Sequence, residues 1–399
     1  MQHKPDATPH TPTLPGATLG LLGGGQLGRY FVIAARTAGY EVWVLDPDPH
    51  APAAHFASRH LCAAYDDPEA LKELGTHCAA ITTEFENTPA SAMAQLADQY
   101  GCAVRPSAQA VSIAQDRIRE KQFFQLCGLP VGNYCVIRSP ADIPSAFASL
   151  SFPAIIKTAR FGYDGKGQVR VAHSEEALQV LQNNLDFIPC VIEQQLDLAT
   201  EVSVVLGRSE SGEIQCFPVF ENQHKDGILD ISILPARVDP KIAEQARNMA
   251  MIVANKLDYV GVMAVEFFVL KEGHILLNEM APRPHNSGHA TIDAGTCSQF
   301  EQQVRLVCGF APENPAPVPA AVMVNLLGDI WGGDGQAPAW EYLLKNSQTR
   351  LHLYGKREPR KGRKMGHFTV LGADQDQVID TALSLRTALL GHQKTDFNL

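Results

Sequence analysis

The chain has no Cys-x-x-Cys pair. Its nine cysteines (Cys62, Cys78, Cys102, Cys127, Cys135, Cys190, Cys216, Cys297 and Cys308) stand singly, mostly among apolar neighbours. That pattern argues against a zinc ribbon, a dithiol redox centre or a disulfide framework, and predicts reduced interior thiols. Basic residues are outnumbered, 33 against 43 acidic ones, giving a net charge of −10. Such a balance argues against a broad surface for nucleic acid or anionic membrane, so any anionic ligand needs a local cluster of Arg, Lys and backbone N–H groups. No apolar run is long enough to span a bilayer. Residues 1–16, rich in Pro, His and Thr, lack the apolar centre of a signal peptide and the Arg-rich pattern of a transit peptide. They are expected to be a disordered tail on a cytoplasmic protein. No internal repeat is visible. What remains is 45% hydrophobic and 19% charged over 399 residues, a globular composition long enough for two or three domains.

What is present is clearest from Lys157 to Gln168. The apolar stretch from Phe152 to Ile156 has a strand pattern and delivers Lys157 into a loop carrying Gly162, Gly165 and Gly167. Glycines so spaced let the backbone turn tightly and present N–H groups to an anion, with Lys157 as a fixed positive charge and Lys166 as a mobile one. Taken alone, the segment fits a phosphate clamp and an ordinary glycine turn equally well. Earlier, Thr18 to Leu22, the turn Gly23 to Gly28, a helical segment to Ala38 and Tyr40 to Leu45 ending at Asp46 predict a βαβ unit with a phosphate-binding turn. Ala79 to Thr83 predicts another strand, with Glu84, Glu86 and Asn87 past its carboxyl end, the edge where open parallel sheets bind ligands. A helix bearing Arg117, Arg119 and Lys121 is expected from Ile113 to Cys127, strands and turns from Tyr134 to Phe220, and a long helix from Pro240 to Leu257. After the Pro-rich stretch 312–319 come a strand at Ala321 to Leu326, basic Lys356 to Lys364 and a last helix after Asp376.

Val262 to Leu270 and Ile275 to Glu279 flank a turn at Lys271 to His274. A two-residue turn at Glu272-Gly273 pairs Leu270 with Ile275, Phe268 with Leu277 and Glu266 with Glu279. Like charges opposed at a Cβ separation of about 5 Å repel. A divalent cation with oxygen ligands, Mg²⁺ above all, relieves that repulsion, and Asn278 could add an amide oxygen if the strand bulges. A turn one residue away would send the two glutamates to different faces.

By Glu279 to His289 the motifs together resemble one family, the 5-(carboxyamino)imidazole ribonucleotide synthetases, ATP-grasp ligases of bacterial and fungal purine biosynthesis. The resemblance runs from about Leu19 to His367 and rests on Gly23 to Arg29, Asp116-Arg117, Gly162 to Gln168, Glu193-Gln194, Asn222 to Gly227, Gly261 to Ala264, Asn278 to His289 and Gly362 to His367. It implies an α/β and α+β architecture: after the tail at 1–16, a doubly wound preATP-grasp domain at 17–115, an ATP-grasp module at 116–311 and a small carboxyl-terminal domain at 312–399. The implied reaction converts ATP and bicarbonate to ADP and carboxyphosphate, from which the amine of 5-aminoimidazole ribonucleotide takes the carboxyl group.

The resemblance also implies site residues. Arg117, Lys157, the loop Gly162, Tyr163, Asp164, Gly165, Lys166, Gly167 and Gln168, then Glu193, Gln194, Leu196, Glu201, His224, Asn278 and Glu279 match nucleotide positions. Glu266 and Glu279 match the ligands of Mg²⁺, or of Mn²⁺ in its place. Gly25, Gln26, Leu27, Glu84, Tyr163, Asp164, Arg283, His285, Asn286, Ser287, Lys356, Arg363 and Lys364 match the ribonucleotide site, with Arg283, Asp164 and Lys356 closest to the chemistry. A planar guanidinium at Arg283 suits bicarbonate and carboxyphosphate, and Glu84 and Asp164 are acceptors suited to an aminoimidazole. The family pattern implies a homodimer as well. One departure is Phe161, where members often carry a second glycine.

Other classes compete. Gly23 to Gly28 with Asp46 also satisfies a dinucleotide-binding fingerprint, but a dehydrogenase leaves the Lys157 loop, the paired glutamates and residues 282–289 without a role. A sister ATP-grasp ligase, such as the formate-dependent glycinamide ribonucleotide transformylase, would share the nucleotide motifs, and so would a non-catalytic nucleotide-binding protein.

Overall fold

Strand and helix patterns alternating from Thr18 to Val104 fold into a parallel sheet ordered Arg59–Leu61, Glu41–Leu45, Thr18–Leu22, Ala80–Thr83, Ala103–Val104. The chain, seen in a computed structural model, is described for residues 11–162, 166–316, 320–332 and 336–391. Growth of the sheet changes direction between Thr18–Leu22 and Ala80–Thr83, and the glycine turn and Glu84 leave the carboxyl ends of those two strands. A crevice at such a switch point is the usual ligand position of the fold. Leu19, Leu21 and Leu22 are fully buried, as expected of a strand covered by helices on both faces. The end of the expected tail is held in place. Thr13 N donates to Cys308 O at 2.8 Å, Tyr40 Oη to Thr13 O at 2.8 Å, and Gly16 N to Gly39 O at 2.9 Å.

The helix expected from Ile113 to Cys127 is two helices, Ala108–Ala114 and Arg117–Leu126. Asp116 separates them. Its extended backbone lets its carboxylate accept from Ile118 N at 3.0 Å and Arg119 N at 3.2 Å, a cap that stabilises a helix start by about 1 kcal/mol. Two α-helices lie within the region expected to be dominated by strands and turns: Ile143–Ser149 and Ser174–Asn183. The second is capped by the His173 ring, which accepts from Glu176 N at 3.3 Å, a residue type outside the usual start signals.

Between these helices a four-stranded antiparallel sheet runs Tyr134–Ile137, Cys190–Gln194, Ala154–Thr158, Gln168–Val171, so Lys157 pairs with Gln168 at its edge. The larger sheet runs Ile275–Ala281, Gly261–Leu270, Leu198–Arg208, Phe220–Lys225, Ile228–Leu234, Ala320–Leu327, Lys364–Gly372, Thr349–Leu353. Its last three strands belong to the carboxyl-terminal region and join through Ile231 opposite Val324. The carboxyl-terminal domain therefore extends the central sheet. Met249, Ala250 and Val253 of the Pro240–Lys256 helix pack on one face of the sheet against Val204, Met263 and Val265. All nine cysteines are free.

Candidate active site

The opposed glutamates are a property of the hairpin's register. Val269 pairs with Ile275, Phe268 with Leu276 and Phe267 with Leu277, one residue away from a two-residue-turn register; a bulge then restores Glu266 to a position opposite Glu279. Asn278 is the extra residue. Its Oδ1 is buried without a hydrogen-bond partner, an expensive state for a side-chain amide. Burial, reinforced by Glu279, pushes the Glu266 carboxyl upward, whereas at Glu279 burial is outweighed by Arg117 and the carboxyl is held down. Two opposed carboxylates and an orphaned amide oxygen fit a divalent cation with oxygen ligands.

The partners of these carboxylates come from distant sequence. Arg117 places NH1 2.9 Å from Glu279 Oε2, and His285 places Nε2 3.0 Å from Glu266 Oε1. His285 is kept neutral, well below an ordinary histidine, by burial and by Arg283 and Lys364. On the neighbouring strands His224 Nδ1 lies 3.2 Å from Glu201 Oε2; burial opposes its charge, but that bond raises its pKa overall.

The nucleotide candidates gather around Lys157. Its Nζ is 3.0 Å from Glu193 Oε2, and Lys121 Nζ is 3.2 Å from Glu193 Oε1. The side chain of Glu193 thus lies in an interior ion cluster. Gln194 exchanges backbone and side-chain bonds with Asn133 at 3.0 and 3.1 Å. Gly162 and Gly167 fold back on Thr158: a Cβ on Gly167, whose φ is +70°, would come within 2.5 Å of Thr158 Oγ1, and one on Gly162 within 3.6 Å of Arg117. Tyr163, Asp164 and Gly165 lie outside the described residues.

At the amino-terminal glycine turn the N–H groups meet carboxylates from within the chain. Gly24 N donates to Asp46 Oδ2 at 2.6 Å, and Gly25 N and Gly28 N donate to Glu84 Oε1 and Oε2 at 2.5 and 2.9 Å. Asp46 also accepts from Tyr65 Oη at 2.9 Å. Both parts of a dinucleotide fingerprint, the turn and its acidic partner, are therefore engaged with each other. A Cβ on Gly25 would lie 2.8 Å from Glu84 Oε1, so the close approach requires glycine.

The ribonucleotide candidates converge from both ends of the chain. Lys356 Nζ donates to Gln26 Oε1 at 2.7 Å and to Lys364 O at 2.9 Å. Arg283 forms an ion pair with Glu86, while its NH1 donates to Pro284 O at 3.0 Å. Asn286 and Ser287 face inward: Asn286 is paired with Asn325 through two amide bonds of 2.8 and 3.2 Å, and Ser287 Oγ lies 2.8 Å from Ser203 Oγ and 2.9 Å from His285 Nδ1. Arg363 is surface-facing and donates to Glu358 O at 3.0 Å. Glu86 was placed at the ligand edge of the sheet without a role, whereas Glu120, which accepts from Met280 N at 2.7 Å, and Lys121 were not among the expected site residues. The available signal was the i+3 and i+4 spacing of Glu120 and Lys121 from Arg117 on one helix face.

Asp293, His352 and His367 are another group with potential ligand atoms, all within 4.8 Å of one another. The two rings stack at 4.5 Å with planes 14° apart, so their in-plane lone pairs run side by side instead of converging. His352 Nε2 already holds Asp293 at 2.8 Å.

Family models cover most of the chain: the ribonucleotide synthetase preATP-grasp domain at residues 16–115, the ATP-grasp domain at 122–300 and the phosphoribosylaminoimidazole carboxylase C-terminal domain at 321–381. The chain is 44% identical over 356 residues to the N5-carboxyaminoimidazole ribonucleotide synthase of Brucella melitensis, covering 89% of this chain and 96% of that one. It is similar to the Staphylococcus aureus N5-carboxyaminoimidazole synthetase solved with ADP, with a TM-score of 0.87 and 35% identity over 95% of this chain and 100% of that one. A similar Aspergillus clavatus structure holds ADP and 5-aminoimidazole ribonucleotide; its TM-score is 0.83, at 28% identity over 94% of this chain and 98% of that one.

Proposed function

The chain belongs to the N5-carboxyaminoimidazole ribonucleotide synthase family of ATP-grasp ligases, and from that membership we propose how its residues divide the work of the reaction. The enzyme carboxylates 5-aminoimidazole ribonucleotide in an ATP-dependent step of purine biosynthesis. Bicarbonate is the proposed carboxyl source. Its oxygen attacks the γ-phosphorus, ADP leaves, and carboxyphosphate forms. The exocyclic amine then attacks the carboxyl carbon, phosphate departs, and the nitrogen loses a proton.

Lys157 and Arg117 neutralise phosphate charge, Glu201 takes the ribose hydroxyls, and the segment from Glu193 to Leu196 lies along the adenine. Glu266, Glu279 and Asn278 would hold Mg²⁺, which when bound supplies charge neutralisation on the transferring phosphoryl group. Arg283 presents a planar fork to bicarbonate, displacing its ion pair with Glu86. Neutral His285 keeps Glu266 oriented by a hydrogen bond. Lys356 and Lys364 bind the ribose 5-phosphate beside the Gly25-Gln26-Leu27 turn. Carboxyphosphate is short-lived in water, so holding the amine close and excluding solvent are the main tasks.

What carries this reading is one arrangement: the Lys157 cluster and the opposed glutamates share Arg117's helix, while Arg283 and His285 follow the Glu279 strand directly. A homodimer in the cytoplasm is proposed on family resemblance. Among the described residues no helix is long and apolar enough to cross a membrane. The direct test is ADP release with 5-aminoimidazole ribonucleotide and bicarbonate added separately and together. Release should require both; release dependent on glycinamide ribonucleotide and formate would assign the chain to the sister ligase, and no release at all would favour a binding protein.

A further inference from the structure

Two lysines enter the nucleotide site from different elements and meet on one carboxylate. Lys157, on the Ala154–Thr158 strand, donates to Glu193 Oε2 at 3.0 Å, and Lys121, on the Arg117–Leu126 helix, forms an ion pair with Oε1 at 3.2 Å without a hydrogen bond. All three are sequestered, with Lys121 2%, Glu193 7% and Lys157 8% exposed. Lys121 is further fixed over the Tyr134 ring, 5.5 Å from its centroid. Burial would raise the Glu193 carboxyl, but Lys157 and Lys121 override it and bring it down to about 2, so the carboxylate is ionised under any working condition.

The arithmetic of charge explains why two lysines are present. A lysine has a long, freely rotating stem and needs an anchor if its ammonium is to meet phosphates in one position. An anchoring carboxylate by itself would make a neutral pair with little attraction for an anion. With a second lysine on the other oxygen, the cluster of two cations and one anion keeps a net charge of +1. A buried charge without a ligand-directed purpose would be replaceable by a well-packed apolar side chain.

We propose that Lys121 is a positioning residue for phosphate binding: it occupies one oxygen of Glu193 so that the other steers Lys157 without cancelling the cluster's positive charge. This rests on the reading of Lys157 as a phosphate ligand. Lys121 itself, beneath Glu193, touches no substrate.

The test compares ADP with adenosine, which has no phosphate, by isothermal titration of the full chain. Lys157→Met should weaken ADP by about tenfold or more, the scale of a lost charged hydrogen bond, and leave adenosine within about twofold. Equal losses for both ligands would remove the phosphate reading of Lys157 and this proposal with it. Given a phosphate-selective Lys157 effect, Lys121→Met should also weaken ADP by about tenfold with adenosine unchanged, and add nothing in the Lys157→Met background. Loss of both ligands alike, or an ADP loss that multiplies with that of Lys157→Met, would overturn the positioning role while leaving Lys157's role standing. Should Lys121→Met fail to fold, Glu193→Gln and Lys121→Arg replace it. Glu193→Gln should lose ADP selectively and Lys121→Arg should retain it within about threefold; unchanged ADP affinity in Glu193→Gln would overturn the proposal.

Discussion

Two polar clusters among the described residues are built on opposite rules. The first, around Lys121, Glu193, Lys157, Arg117 and Glu279, consists of full charges paired with one another. The second, where the three regions of the chain meet, consists of packed rings: Tyr30 from the amino-terminal helix, His289 and Phe300 from the central region, and His352, Tyr354 and His367 from the carboxyl-terminal strands. Nε2 of His289 and Nε2 of His367 have no hydrogen-bond partner. Burial, with His352 nearby, lowers His289 to about 3, and burial holds His367 well below its ordinary value. The difference teaches what each requires. Charges held at such desolvation cost need partners of opposite sign, as the first cluster provides, whereas the seam is stable only while the buried His289 and His367 remain uncharged.

The largest effect should come from the charged cluster. Glu279→Gln removes one of two opposed carboxylates and the partner of Arg117, and ADP formation should fall by about a thousandfold or more, the scale seen when a site's main electrostatic element is lost. Near-normal turnover would sink the cation assignment and leave the cluster a structural ion network. A smaller effect is expected at Lys356, which lies 5.6 Å from the Tyr354 ring centroid and donates to Gln26, on the border between the two clusters. Lys356→Ala should raise KM for the ribonucleotide by about tenfold or more and leave KM for ATP within about twofold. Equal changes in both would remove it from the substrate site.

The smallest effect is one of pH, and it separates the clusters by range. An unfolded histidine takes a proton as pH falls below about 6.5, but His289 in the folded protein does so only near 3. Between those values the unfolded chain binds more protons, so the neutral seam loses stability as pH falls. Glu193, lowered to about 2, contributes stability that is fully present above the ordinary carboxylate pKa and is lost only as pH falls toward 2. Burial raises the Glu120 and Glu266 carboxyls to about 8, which acts the other way on acidification in native protein and variant alike, so between pH 7 and 5 the melting temperature of His289→Phe should fall less, or rise more, than that of the native protein, by roughly a few degrees. An unchanged slope in the variant would mean that the seam does not set acid sensitivity.

Much of this was legible in the chain. The strands expected at Thr18 to Leu22, Tyr40 to Leu45 and Ala79 to Thr83 follow from short apolar runs, and the helix expected from Pro240 to Leu257 from its apolar spacing, because those patterns are local. What was illegible depends on partners far away in sequence. Glu84 was an obvious acceptor at a sheet edge, but that it engages Gly25 N and Gly28 N, across 59 and 56 residues, could not be read from spacing. Lys121 was visible as one cation on a helix, whereas its burial against Glu193 and Tyr134 is tertiary. The opposition of Glu266 and Glu279 was reached through a turn one residue different from the actual one, because a bulge cannot be distinguished from a shorter turn by counting.

That bulge makes the hairpin a mechanism with two settings that must agree. The turn at Lys271 to His274 determines the phase of the strands, and Asn278 shifts it by one before the carboxylates are reached. If removal of one turn residue were absorbed as a slip with the bulge retained, Glu279 would lie opposite Phe267 or Val265 in place of Glu266, on the other face of the hairpin. The length of an exposed turn, at Lys271 to His274, therefore decides whether two carboxylates at the far end of the hairpin meet.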